Sequence, residues 1–262
     1  MNADMVLSSG NAKVFGKNFT LFSCIDSTNN YIKKLSPLLQ NGHVVISDEQ
    51  VRGRGRQGKN FYSPKDEGLY MSIILKEDNI VNDELFTVKI CLAVCRAIDR
   101  ITGTDNNNGV GIKWVNDIYF ASKKLCGILC EKVNMQNGKS CVVAGIGVNL
   151  MLEKAKIPKD ISKTATSLYD ITKQKYDKFY LASLICECCE EIFSQNSSID
   201  EIIDEYRKRS VIIGREINII QNDKMIRAAA LDICPDGALL VRTEEGFTQK
   251  LCGGEITIRA RK

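Results

Sequence analysis

Residues 52–59 read Arg-Gly-Arg-Gly-Arg-Gln-Gly-Lys, three glycines interleaved with three arginines and closed by a lysine. Glycine lets a backbone approach a ligand closely, and guanidinium groups offer planar forks to carboxylates and phosphates. Such a segment suits closure over a small anionic molecule. A solvated basic surface loop and an arginine-glycine tract that grips nucleic acid use the same residue types. Three further segments gather polar groups where packing does not call for them. Lys113-Trp114-Val115-Asn116-Asp117 ends a strand in an amide and a carboxylate, with Lys113 on the face opposite Trp114 by alternation. Lys123 to Glu131 leads a lysine pair into a strand whose Gly127 would let a molecule lie against its backbone. A hairpin over 118–128 can return Lys124 to Lys113 and Asn116. Ala144 to Asn149 carries Gly145 and Gly147 on one side and an asparagine at its end.

Gly53, Gly55 and Gly58 also satisfy the G-x-G-x-x-G dinucleotide fingerprint. That fingerprint needs a helix opening on its last glycine and an acid at the end of a second strand. Residues Lys59 to Pro64 have no helical period, and Asp78 sits in a turn sequence. The dinucleotide reading is set aside.

The elements that must hold these groups are legible from periodicity. Residues 18–25 predict a strand, and Asp26-Ser27-Thr28-Asn29 opens a helix with Ser or Thr as N-cap, stopped by Pro37. Strands are expected at 44–47 and 69–75. A helix over 83–101 carries Leu85, Val88, Leu92, Cys95 and Ile98 on one stripe, and a polar loop occupies 102–109. Strands then run over 110–115, 118–120, 125–133 and 140–150, with a hairpin-like link at 121–124 and a turn signal at Asn137-Gly138. Helices return at 177–194 and 199–209. From Val211 the pattern is short strands at 211–220, 225–233, 238–243 and 247–251. This divides the chain into a domain of residues 1–210 and a small barrel-like C-terminal domain of 211–262.

A chain of 262 residues with 44% hydrophobic and 26% charged residues is ordinary for a soluble globular protein. Its formal charge of +4 is mixed along the chain and does not by itself call for DNA or membrane. His43 is the single histidine, which removes most histidine metal sites and leaves a Ser-His-Asp relay unsupported; it reads as a strand-edge residue. Eleven cysteines, with no signal peptide or long apolar run, fit reduced thiols in a cytoplasmic protein. Cys186, Cys188 and Cys189 match no usual zinc spacing, and no protein metal site is expected.

In order, the chain carries Asp-Ser-Thr-Asn, Gln50 ahead of Gly-Arg-Gly-Arg-x-Gly, Lys-Trp-x-Asn-Asp, Lys-Leu-x-Gly-Ile-Leu-x-Glu and Gly-Ile-Gly-Val-Asn. This series resembles the biotin protein ligases, the biotin–[acetyl-CoA-carboxylase] ligases, from about residue 20 to the C-terminus, where Gly253-Gly254-Glu255-Ile256 also suits the family's small barrel. The resemblance implies an α+β fold: a mixed sheet flanked by helices, class II synthetase-like, with an SH3-like C-terminal domain. It implies two steps. Biotin and ATP, with Mg²⁺ expected, give biotinyl-5′-adenylate and pyrophosphate; a lysine of a biotin carboxyl carrier domain then attacks the adenylate.

Carried onto this chain, the resemblance puts Ser27, Thr28 and Asn29 at the ureido end of biotin, with Gln50 nearby. Arg54, Gly55 and Arg56 form the closing loop, with Arg54 also a candidate catalytic cation. Lys124 holds the biotin carboxylate and the phosphate and is the first choice for a catalytic cation. Lys113, Asn116 and Asn149 line the nucleotide side. Asp117 orients or deprotonates the incoming lysine, or merely caps its turn. Three positions depart from the family pattern: Val115 stands for proline, Gln57 for arginine and Phe61 for tryptophan. The 17 residues ahead of the first strand are too few for a helix-turn-helix domain, so a ligase without DNA binding is expected, with a homodimer compatible. Lipoate ligation on the same fold and nonenzymatic nucleic-acid binding are the competing functions. The two arginine and lysine motifs argue against the first, and acids such as Asp66, Glu67, Glu77 and Asp78 interrupt the basic stripe that the second needs.

Overall fold

The computed structural model describes residues 11–104, 109–135, 138–153, 155–194, 198–221 and 224–258. Seven strands form a mixed sheet: β1 (Phe19–Phe22), β2 (Val44–Ser47), β3 (Gly68–Leu75), β4 (Gly111–Lys113), β5 (Asp117–Phe120), β6 (Lys123–Asn134) and β7 (Ser140–Asn149). Their order is β1-β2-β3-β7-β6-β5-β4, parallel only between β1 and β2. Seven α-helices accompany the strands among the described residues: α1 (Thr28–Leu35), α2 (Asp78–Val81), α3 (Phe86–Thr102), α4 (Lys159–Thr164), α5 (Leu168–Thr172), α6 (Lys178–Ser194) and α7 (Ile199–Arg209). A second sheet, antiparallel throughout, comprises β8 (Glu216–Gln221), β9 (Lys224–Ile233), β10 (Leu239–Thr243), β11 (Thr248–Leu251) and β12 (Glu255–Ile258), in the order β11-β10-β9-β8-β12.

Alternation along β7 explains how site side chains come to lie directly on the sheet. Val142, Ala144, Ile146 and Val148 face the main core shared with α3 and α6. On the other face Cys141 and Val143 are covered by Ile32 of α1 in a second cluster with Val45 and Ile74. Farther along that second face come Gly145 and Gly147, which let Asn29 and the Phe61 ring lie directly against the sheet.

Several elements differ in extent from the periodicity. The first strand ends at Phe22 rather than 25, and Ile25 keeps only an isolated bridge to Gln50. The helix expected from 83 starts at Phe86, because the Asp83 carboxylate accepts the Leu85 N–H ahead of it. Residues 110–115 do not form one strand: β4 stops at Lys113, a turn with a cis Trp114–Val115 peptide comes next, and β5 begins at Asp117. The second sheet starts at Glu216, after a turn in which Gly214 has φ +76. Helices α4 and α5 have too little apolar periodicity to be read from sequence, whereas β12 carries the alternation Glu-Ile-Thr-Ile and lies beyond the expected strands. Asn137 of the hairpin signal and residues 105–108 of the polar loop lie outside the described residues. All eleven cysteines are free thiols, and His43 bonds Thr20 on the neighbouring strand. Among the described residues no helix is long and apolar enough to cross a membrane.

Candidate active site

Strand register alone sets one row of the site. Lys113 lies opposite Asp117, Asp117 opposite Gly127, Gly127 opposite Gly147, and Gly147 opposite Tyr70. Residues directly opposite share a face, so the lysine and the carboxylate stand beside a glycine floor. Lys124 joins them through an irregularity: Tyr119 pairs with Lys124 and Ile118 with Cys126, leaving Leu125 as the extra residue of a bulge. One extra residue reverses the facing of what precedes it. Lys124 Nζ therefore reaches Asp117 Oδ1 at 2.7 Å, on the Gly127 side of the sheet.

Above this floor is a cavity of about 190 Å³. Phe61 lies on the glycine pair; a Cβ at Gly147 would sit 2.4 Å from its ring and one at Gly127 3.0 Å. At one end is the start of α1. Ser27 occupies the N-cap, yet its hydroxyl does not cap the helix, which leaves that buried group directed to other work. Gln50 supplies the missing acceptor instead, taking the Thr28 N–H at 2.9 Å, while its amide donates to Ser63. The amide of Asn29 is fixed from both sides: Oδ1 accepts from Ser72 at 2.5 Å and Nδ2 donates to Glu131 at 3.0 Å. Gly145 is required there, since a Cβ would come within 2.2 Å of Asn29 Oδ1.

The arginine-glycine segment is a hydrogen-bonded hairpin, closed by Phe61 N–H to Gly53 O and Gly55 N–H to Lys59 O. Its two inner arginines diverge. Arg54 bonds Asn30 and lies 3.5 Å from Glu131. Arg56 donates to Asn116 Oδ1 at 3.0 Å and to the Gly254 carbonyl at 2.9 Å. Lys59 pairs with Glu255, so the β11–β12 turn of the second sheet closes one side of the cavity. The turn at 114–116 is held by the Tyr206 hydroxyl on Val115 O at 3.0 Å and by Trp114 Nε1 on Gly237 O at 2.9 Å. Asn116 also donates to the Ile128 carbonyl.

Burial holds the Lys113 ammonium below the ordinary lysine range, and Lys124 adds to that while Asp117 opposes it. Burial would raise the Glu131 carboxyl, but hydrogen bonds from Lys33 and Asn29 more than offset it and hold the group low. Lys113, Lys124, Arg54, Arg56 and Lys59 face two cavity carboxylates, Asp117 and Glu255. The lining is therefore cationic and suits an anion. A protein-held divalent ion does not fit: each of those carboxylates is paired with a lysine, and among the described residues no group of three His, Cys, Asp or Glu could hold a metal.

Of the residues expected from sequence, Ser27, Thr28, Asn29, Gln50, Arg54, Gly55, Arg56, Lys113, Asn116, Asp117 and Lys124 all line this one cavity. Asn149 does not. It is buried and donates to Thr166 O at 2.9 Å, and the Thr166 N–H in turn bonds Lys124 O, so Asn149 backs the strand that carries Lys124. Sequence reading gives Ser72, Glu131 and Glu255 no role in the site. Ser72 is the polar interruption of the apolar run Gly68–Leu75, a signal that could find it, while Glu131 and Glu255 stand in the motif segments Lys123 to Glu131 and Gly253 to Ile256 without a reason in the chain to place them at the cavity.

Residues 21–149 match the model of the biotin/lipoate A/B protein ligase family, and residues 212–259 match the biotin protein ligase C terminal domain. The bifunctional ligase/repressor BirA of Escherichia coli (strain K12) is 27% identical over 267 residues, which cover 99% of this chain and 78% of that protein. A biotin–[acetyl-CoA-carboxylase] ligase of Mycobacterium tuberculosis is 26% identical over 76% of this chain and 73% of its own. Among solved structures, a biotin protein ligase from Aquifex aeolicus in complex with biotin and ATP superposes with a TM-score of 0.78 at 27% identity, covering 94% of this chain and 100% of that one.

Proposed function

The chain belongs to the biotin/lipoate A/B protein ligase family, and from that premise we propose how it works as a biotin protein ligase. It forms biotinyl-5′-adenylate from biotin and ATP and transfers biotin to a lysine of a biotin carboxyl carrier domain, that of acetyl-CoA carboxylase or a related carboxylase. The observation that carries the reading is the cationic, glycine-floored cavity, in which Lys124, Lys113 and Arg56 stand along one side and the fixed amide of Asn29 at the other.

Adenylation brings a carboxylate against the α-phosphate, two anions that repel until cations lie between them. Lys124 takes that place, held by Asp117 and able to touch both groups. Arg56 contacts the phosphate, and its own tie to Gly254 draws the second sheet onto the nucleotide. Arg54 acts at one remove, because Asn30 and Glu131 already occupy it. Ser27, Thr28, Asn29 and Gln50 take the ureido end of biotin, with the unengaged Ser27 hydroxyl the direct contact. Gly55 lets the loop backbone approach. Lys113 and Asn116 face the nucleotide, and Asn149 contributes through Thr166 behind Lys124. Mg²⁺ would come with ATP as part of the substrate and would lessen the repulsion between phosphate and carboxylate. Asp117 is the base for the carrier lysine once Lys124 has turned to the adenylate. The mixed anhydride hydrolyses in water, which gives the Gly53–Phe61 hairpin its purpose as a cover. We assign residues 1–210 to catalysis and 211–262 to the C-terminal domain, and pairing of two copies is compatible with both.

The test is incubation of the protein with biotin, MgATP and a biotin carrier domain, followed by mass spectrometry of the carrier and measurement of pyrophosphate. A mass gain on one carrier lysine with stoichiometric pyrophosphate is expected. Gain with lipoate in place of biotin, or none with either, overturns the proposal.

A further inference from the structure

Glu131 has no part in the chemistry of adenylation or transfer, yet it is the point where three elements meet. It stands on β6, on the same face as Gly127 and Leu129. One oxygen accepts from Asn29 Nδ2 at 3.0 Å; the other accepts from Lys33 Nζ at 2.9 Å and lies 3.5 Å from Arg54 Nη1. Asn29 and Lys33 belong to α1 and Arg54 to the glycine-arginine hairpin, so one carboxylate ties the sheet, the helix and the cover together. Its side chain is 22% exposed, a position in which a charged acceptor is more than a solvated surface group. Without it, Asn29 Nδ2 keeps the longer hydrogen bond to the Leu129 carbonyl, at 3.3 Å, and loses the shorter, charge-assisted one. Its Oδ1 is committed to Ser72, and Gly145 packs directly against it.

We propose that Glu131 is a positioning residue with two separable duties: it fixes the Asn29 amide for biotin, and its charge holds Arg54 so that the hairpin stays down over the occupied cavity. The proposal rests on the biotin ligase reading. In that reading Asn29 needs its amide presented in one orientation, and a flipped or rotating amide offers the ligand a donor where an acceptor should be. The first duty needs only an acceptor at the Glu131 position; the second needs a negative charge.

Glu131→Gln keeps the acceptor and removes the charge, whereas Glu131→Ala removes both. Biotin binding is measured by calorimetry on the full chain without ATP, and hairpin closure by the rate of trypsin cleavage after Arg54 and Arg56 with biotin and MgATP present. Glu131→Ala should weaken biotin binding about 10- to 100-fold, with the rise in biotin KM exceeding the fall in kcat. Glu131→Gln should bind biotin within about fivefold of wild type but be cleaved about two- to fivefold faster in the hairpin. If the alanine variant does not fold, Glu131→Asp, which keeps the charge and loses the reach to Asn29, should show weakened biotin binding with near-normal protection. Variants that match wild type in both measurements overturn the proposal, as does a glutamine variant as weak for biotin as alanine. A wild type that binds no biotin overturns the function reading itself, a result distinct from either.

Discussion

Two charged clusters of similar composition lie in this molecule, and only one of them is a site. Between α3 and α7, Arg96 and Arg209 face Asp99 and Glu205: Arg209 reaches Asp99 at 2.9 Å and Glu205 at 3.1 Å, and Arg96 reaches Glu205 at 2.5 Å. The Arg209 side chain is 2% exposed. Two cations meet two anions, so the group is balanced in charge. At the glycine floor the Lys124–Asp117 pair is 32% and 22% exposed, Lys113 stands directly across from the same carboxylate, and Arg56 is held by an amide and a carbonyl rather than by an acid. The difference is charge balance and access. Balanced charges away from water brace the fold; excess cations around an open cavity wait for an anion that the chain does not supply.

Removing a member of each cluster should separate these roles. Arg209→Ala leaves Asp99 buried without its cation, and about 3–5 kcal/mol of stability should be lost in urea unfolding. Adenylation per folded molecule should be near normal. A loss below about 1 kcal/mol would erase the contrast. Lys124→Ala should do the opposite. Adenylate formation, followed as pyrophosphate release, should fall about 100- to 1,000-fold, or about 2.7–4 kcal/mol, while the urea midpoint barely moves, because a partly exposed pair contributes about 0–1 kcal/mol. A variant that unfolds easily but turns over normally would make Lys124 a brace.

Smaller effects sharpen the boundary between the two kinds of group. Trp114→Phe deletes the donor to the buried Gly237 carbonyl and should cost about 1–3 kcal/mol. It should also raise the KM for ATP, since the turn that carries Asn116 loses its tie to the second sheet. An unchanged KM would place that tie with the brace alone. Glu255→Gln breaks the pair with Lys59 and should cost about 0.2–1 kcal/mol. Its visible consequence should be faster trypsin cleavage after Lys59, with the melting temperature lowered by no more than about 2–4 °C.

The sequence by itself determined which residue types reached the site and most of the elements beneath them. The lysine, amide and carboxylate of Lys113 to Asp117, the glycines of β6 and β7 and the arginine hairpin stand out because a packed core has no use for them. Alternation then fixes which of their neighbours share a face, a local property that survives any arrangement of the strands. Tertiary structure alone decided the rest. Lys124 faces Asp117 only because a bulge at Leu125 turns it, and no periodicity announces a single extra residue. Arg54 and Arg56 read alike in the chain, yet Glu131, 77 positions after the first, and Gly254, 198 after the second, give them different work. Asn149 sits at the end of a site strand, but Thr166 claims its amide. Such choices belong to long-range partners: a polar side chain settles on whichever donor or acceptor the fold brings within about 3 Å, and that distance is set by the whole chain at once.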